Sequence, residues 1–141
     1  MHKKTHFFVI SLMLALVLQS CALFPFLQVD PLDGSEWELV YMRKSPPIEG
    51  RSITIAFSGG EVHGSSGCNS YFGQYEIKGD GIAFSPLAMT EMACIDPGVM
   101  EQEMEYLRLL SETAFFELRD DNLVLKQEGQ EHLQFKRIPA Q

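Results

Sequence analysis

Polar and apolar residues alternate along most of this chain, and the alternation predicts short strands. In Ser35-Glu36-Trp37-Glu38-Leu39-Val40-Tyr41-Met42, residues Trp37, Leu39 and Tyr41 fall on one side, the period of a half-buried strand. Residues 53–57 and 61–65 form a hairpin pattern about Gly59-Gly60, and residues 71–77 turn at Gly79-Asp80-Gly81 into 82–85. A further extended piece covers Leu87 to Cys94. Near the end, residues 114–119, 123–126 and 133–136 are separated by Asp120-Asp121-Asn122 and Glu128-Gly129-Gln130. They predict an antiparallel meander with Phe116, Leu118, Leu123, Leu125, Leu133 and Phe135 inward.

One segment breaks the two-residue period. Asp96 is placed to cap a helix and Pro97 suits a first turn, where the missing amide hydrogen costs nothing. Met100, Met104, Leu107 and Leu110 then recur at three- and four-residue spacing as an apolar face, with Glu101, Gln102, Glu105 and Arg108 on the wet side, ending near Ser111. Roughly eight short strands and one helix predict a mainly β, β-rich α+β domain: a small antiparallel curled sheet or barrel-like fold with one packed helix. A two-layer α+β sandwich is the alternative.

Before Ser35 the pattern is different. A basic head, Met1 to His6, precedes Phe7 to Leu18, 12 residues that are apolar except for Ser11. That run is shorter than the roughly 20 residues a spanning helix needs, and its order is that of an export signal. It ends in Leu18-Gln19-Ser20-Cys21, which resembles a bacterial lipobox, so Cys21 is the expected lipidation site, carrying palmitate and other acyl chains. The expected organisation is a signal peptide at 1–20, a lipidated tether at 21–34 and a domain at 35–138. Ala22 and Leu23 follow the cysteine with no aspartate at the next position. By resemblance to lipoproteins of bacteria with two membranes, this predicts an outer-membrane lipoprotein facing the periplasm.

Removing residues 1–20 of the 141 leaves 121, enough for one hydrophobic core. The leader carries Lys3 and Lys4 and no acid, so the formal charge of −8 for the whole chain becomes −10 for the remainder. Such a surface excludes binding nucleic acid by phosphate neutralisation, and it leaves the lipid as the contact with the membrane.

Two blocks now stand out. Gly64-Ser65-Ser66-Gly67-Cys68-Asn69-Ser70-Tyr71-Phe72-Gly73-Gln74-Tyr75 resembles the glycine–cysteine–asparagine signature of the META domain family, which includes the heat-inducible HslJ lipoproteins of bacteria. Leu87 to Cys94, with Thr90, Met92, Ala93 and Cys94, resembles its second block. Glu101 matches the family's recurrent acidic residue, and Trp37 its opening tryptophan. The resemblance covers roughly residues 34–137. It implies a compact β-rich fold with a helix and a role in the envelope under heat or antibiotic stress.

The chemistry-bearing residues admit several readings. If Cys21 takes lipid, Cys68 and Cys94 remain as an even pair in an oxidising compartment, either joined as a disulfide or buried as two inert thiols. His63, Cys68 and Asn69 would instead be a thiol-dependent catalytic set, and Cys68, Cys94, His63 and His132 a metal site without the usual ligand spacing. Asn69, beside Gly67, is suited to closing a turn onto nearby backbone, and Thr90 to tying down an adjacent loop. Tyr71, Phe72 and Tyr75 are either core, with Phe72 the innermost, or a candidate binding surface formed by Tyr71 and Tyr75. The glycine-rich stretch 59–67 lacks a phosphate-binding loop's lysine. We expect no catalytic residue, cofactor or metal. The leading expectation is a non-enzymatic envelope protein that binds or stabilises a protein or peptide partner. A protease inhibitor presenting residues 43–50, with Pro46-Pro47, is the alternative.

Overall fold

The computed structural model describes residues 29–139; the expected signal peptide, the expected lipidation site Cys21 and the first part of the expected tether lie outside them. Nine strands form one antiparallel sheet: β1 (Ser35–Met42), β2 (Thr54–Ser58), β3 (Glu61–Ser65), β4 (Ser70–Lys78), β5 (Gly81–Phe84), β6 (Ala88–Met89), β7 (Phe115–Arg119), β8 (Asn122–Gln127) and β9 (Gln130–Arg137). A single helix among the described residues, α1 (Val99–Ser111), separates β6 from β7. The spatial order is β3-β2-β1-β9-β8-β7-β5-β4-β6, and β3 also pairs with β4. The sheet therefore curls until its two ends meet. The loosest join is between β5 and β7, where the register pairs only Gly81 with Phe115.

The curl encloses the core. Trp37, Ile55, Phe57, Val62, Tyr71, Leu123, Leu125, Leu133 and Phe135 point into it, and α1 adds Tyr106, Leu109 and Leu110 from one side. The meander is as its alternation predicts: Leu123, Leu125, Leu133 and Phe135 are fully buried, while Phe116 and Leu118 pack against them half-buried. Trp37 is held by its indole N–H, which donates to Ser35 Oγ at 2.7 Å, and Arg137 stacks 4.2 Å from the ring centroid.

Three local expectations are corrected. Tyr41 is exposed rather than inward, because the β1–β9 register shifts between Leu39 and Tyr41; this bulge reverses the alternation and turns Met42 toward the core. Residues 30–34 belong to the domain rather than the tether. Leu32 is fully buried, Asp30 accepts from the Leu32 amide and the Tyr75 hydroxyl, and Asp33 accepts from the Gly59 amide. The helix starts after Gly98, whose φ of +80° is left-handed, so Asp96-Pro97-Gly98 is a turn ahead of it. Asp96 forms an ion pair with Arg51 instead of capping.

The helix also rolls relative to its predicted face. Its buried residues are Val99, Gln102, Glu103, Tyr106, Leu109 and Leu110, whereas Met104 is exposed. This stripe has the same three- and four-residue spacing, displaced around the axis, and two polar residues lie within it.

Close backbone approach sets a further constraint at Gly64. A β-carbon there would lie 2.0 Å from the Thr54 carbonyl oxygen, which accepts from the Tyr71 hydroxyl at 2.9 Å. At Gly73 the nearest atom is the Leu87 side chain at 2.7 Å, which has room to turn. Gly64→Ala should therefore cost about 3 kcal/mol or more, and Gly73→Ala clearly less, in urea unfolding of the soluble domain. Equal losses at the two sites would show that the Thr54 approach is not limiting.

Candidate functional site

The sheet and helix meet at a corner, residues 66–70, between β3 and β4. Gly67 takes it with φ +97°, and a β-carbon there would sit 3.4 Å from Gln102 Nε2. The next residues bring two separate fastenings together.

The first is covalent. Cys68 and Cys94 are joined by a disulfide with their Cα atoms 6.1 Å apart, tying the corner to the segment that follows β6. With each sulfur bonded to the other, neither is a free thiolate. His63 is exposed on the outer face of β3, opposite Phe72, and makes no hydrogen bond with Asn69. The catalytic set of His63, Cys68 and Asn69 is thus not assembled. His132 lies on β9 and bonds to Thr113, and no group of three His, Cys, Asp or Glu among the described residues is placed to hold a metal.

The second fastening is Asn69, a fully buried residue whose every polar atom is used. Its Oδ1 accepts from the Thr90 hydroxyl at 2.8 Å and from the Met92 amide at 2.7 Å. Its Nδ2 donates to the Met92 carbonyl at 3.2 Å and to Glu103 Oε1 at 2.8 Å. Its main-chain amide donates to Glu103 Oε2 at 2.8 Å, and the Ser66 amide donates to the Asn69 carbonyl at 2.8 Å. Asn69 therefore does not close a turn onto nearby backbone as expected. It clasps a strand extension more than twenty residues away, because the second block runs antiparallel beside it from Ala88. Thr90 fills its expected role, also accepting from the Ser70 amide at 3.2 Å. Met92 contributes backbone while its side chain is exposed, and Ala93 is exposed in the same strap.

Glu103 is the residue that sequence reasoning missed. It is 1 % exposed, and its carboxyl accepts from the Ser66 hydroxyl and twice from Asn69. Glu101, the expected acidic residue, points to solvent two positions earlier. The available signal was the stripe itself: Val99, Tyr106, Leu109 and Leu110 share a face with 102 and 103, so a polar pair interrupts an apolar row. Gln102 accepts from the Ile48 amide at 2.6 Å, which ties the 43–50 loop to the helix.

The tyrosines are corrected as well. On β4, Tyr71 and Tyr75 face the core and Phe72 is the exposed ring, 60 % open, so the candidate surface of Tyr71 and Tyr75 does not form. Tyr71 donates to the Thr54 carbonyl, so the 2.7 Å contact with Tyr106 uses the Tyr106 hydrogen. Burial pushes both hydroxyls above the usual phenol range; at Tyr75, burial and then Asp30 do the same.

These features define a small strand-rich domain whose single helix is clamped to a curled sheet by a buried amide–carboxyl network and a disulfide. The chain belongs to the META domain family, whose match covers residues 30–140. An NMR structure of a protein from Burkholderia xenovorans is 29 % identical with a TM-score of 0.64, covering 77 % of this chain and 85 % of that one. A second NMR structure is 26 % identical with a TM-score of 0.62, covering 77 % and 95 %. A crystal structure of a DUF4847 family protein from Bacteroides vulgatus shares the fold alone, at 14 % identity and a TM-score of 0.58 over 75 % and 94 %. No curated protein matches the chain.

The two fastenings and His132 each give a prediction. Asn69→Ala leaves Glu103 Oε1 without its donor and the Thr90 hydroxyl and both Met92 backbone groups without their partner, and should cost about 3 kcal/mol or more. Cys68→Ser/Cys94→Ser should cost about 3–4 kcal/mol by the loop-entropy argument. Combined, the losses should exceed their sum if each fastening keeps the strap in place for the other; strict additivity would mean that the two are independent.

The other concerns His132. Its imidazole is held below the usual histidine value by burial first and then by Arg43 and Arg108, against an opposing pull from Glu112. A lowered folded value means the unfolded chain binds the proton first. The stabilisation is therefore complete above about pH 6.5 and is lost as pH falls through the folded value. His132→Gln should flatten the urea-midpoint profile below about pH 6.5 relative to the parent. An unchanged slope would assign the acid sensitivity elsewhere.

Proposed function

We propose that this domain acts by binding rather than by catalysis, held at the cell envelope by lipid on Cys21, and that it engages or stabilises another envelope protein or peptide under stress. The observation that carries this reading is the outward Phe72. Ala56, His63, Phe72 and Ala88 are cross-strand partners in one row over β2, β3, β4 and β6, with Phe72 standing in a shallow groove of about 510 Å³ bordered by Pro86 and Gly73. Meanwhile Cys68, Cys94, Asn69 and Glu103 are occupied with one another. An exposed aromatic ring surrounded by small residues is a surface a partner side chain can cover. Glu61, which lines the same groove, favours a partner with a basic residue there. On this reading the protein sits on the outer membrane and faces the periplasm.

A photo-crosslinking residue placed at 72, with another at Asp120 in the distant β7–β8 turn as control, tests the surface in heat-stressed cells. Position 72 should give one discrete adduct and position 120 none, and Phe72→Asp should remove an adduct formed from neighbouring Gln74 without lowering the melting temperature. Adducts at both positions alike, or at neither, would sink the assignment. The anchor is tested separately: detergent-phase partitioning should be lost in Cys21→Ala, and a Cys21→Ala protein that still partitions would remove the lipid from the reading.

A further inference from the structure

Two tight turns stand at the same end of the sheet. After β1, the amides and carbonyls of Met42 and Ser45 bond reciprocally at 2.8 and 2.9 Å, so Arg43 and Lys44 occupy the central positions, at φ +47° and +72°. Between β8 and β9, Glu128 and Gly129 do the same, at +48° and +79°. Such turns favour Asn-Gly, because L side chains resist positive φ. A turn that keeps Arg and Lys at both strained positions has retained side chains at a conformational cost, which points to a use for them.

The two turns border a cleft of about 290 Å³, whose wall includes Leu109 of α1 and whose floor is His132. Of its charged residues, Arg43 is paired with Glu105 at 2.8 Å and Glu131 with Arg119 at 2.8 Å. Lys44 and Glu128 have no side-chain partner among the described residues, and they belong to opposite turns. The floor is polarised by its own hydrogen bonds. Thr113 donates its hydroxyl to the Leu109 carbonyl at 3.0 Å, so at 2.8 Å it can only accept from His132, and the imidazole hydrogen resides on Nε2. Nδ1 is left as the acceptor of the ring, which lines the cleft. The site thus offers an uncommitted cation on one side and two acceptors of different charge on the other.

We propose that this cleft binds a small zwitterion, a free amino acid or a dipeptide, with its carboxylate at Lys44 and its ammonium between Glu128 and His132. The volume suits a ligand of that size. This site is distinct from the Phe72 surface and stands whether or not that surface binds a partner.

Amide and imidazole NMR signals of the soluble domain, followed during titration with L-alanine and L-alanyl-L-alanine, test the site. Acetate and methylammonium serve as half-ligands. Saturable shifts confined to residues 43–45, 128–132 and the His132 ring, with Kd near or below about 1 mM for at least one zwitterion, are expected, together with at least tenfold weaker binding of both half-ligands. The preferred zwitterion shows whether the cleft takes a single amino acid or the ends of a short peptide. Lys44→Gly suits the left-handed turn position, so it should fold at least as stably as the parent yet bind at least tenfold more weakly; Glu128→Gln should weaken binding similarly. The proposal is overturned if neither zwitterion produces saturable shifts up to about 20 mM, if acetate alone reproduces them, or if Lys44→Gly binds like the parent.

Discussion

Everything at the helix–sheet junction depends on one buried carboxyl. Removing an acidic side chain from water costs several kcal/mol unless donors replace the lost hydration. Glu103 has three, one from Ser66 and two from Asn69, and all arise from the corner between β3 and β4. Supplying them fixes the corner's backbone, the rotation of α1 about its axis and the depth at which Tyr106 enters the core. Tyr106 then packs edge-on against Tyr71 and Phe135, with ring centroids 5.7 and 6.4 Å away. The polar network and the aromatic core are thus two sides of one docking geometry.

The same geometry explains why the second signature block has so little secondary structure. Only Ala88 and Met89 count as strand, yet the chain from there to Cys94 is held by Thr90, by both backbone groups of Met92 and by the disulfide. Side-chain bonds from Asn69 replace the ladder that a longer strand would have formed. This is an economical way to run an irregular segment across a sheet edge, since its backbone groups still find partners.

Much of the architecture was legible in the alternation. β2 to β5 and the terminal meander lie where polar and apolar residues trade places, because one face of each strand meets the core and the other meets water. The failures have specific causes. A bulge at Val40 shifts the phase of β1, and no single residue type announces a bulge. The rotation of α1 was misread because Met100 and Met104 outweighed a stripe containing Gln102 and Glu103; polar residues count as exposed until a partner far along the chain is known. Phe72 and the two tyrosines were exchanged for a similar reason: hydrophobicity ranks phenylalanine inward, but strand phase is set by Val62, Tyr71 and Tyr75 together, and buried hydroxyls are tolerated when each bonds. The pairing of Cys68 with Cys94 was open on sequence alone, since proximity is a property of the fold.

The composition of the clasp also bears on how this domain ages. Asn69 is followed by Ser70, a small neighbour that does little to shield the amide from attack by the next backbone nitrogen, and asparagine is among the thermolabile residues. Hydrolysis of that amide would replace a nitrogen that donates to Glu103 with a carboxylate oxygen facing it at the same 2.8 Å, converting attraction into repulsion between two acids. Burial and full hydrogen bonding hold Asn69 away from the geometry this reaction requires, so an intact clasp preserves itself. Each transient opening puts that protection aside, and the damage accumulates only in molecules that have already loosened.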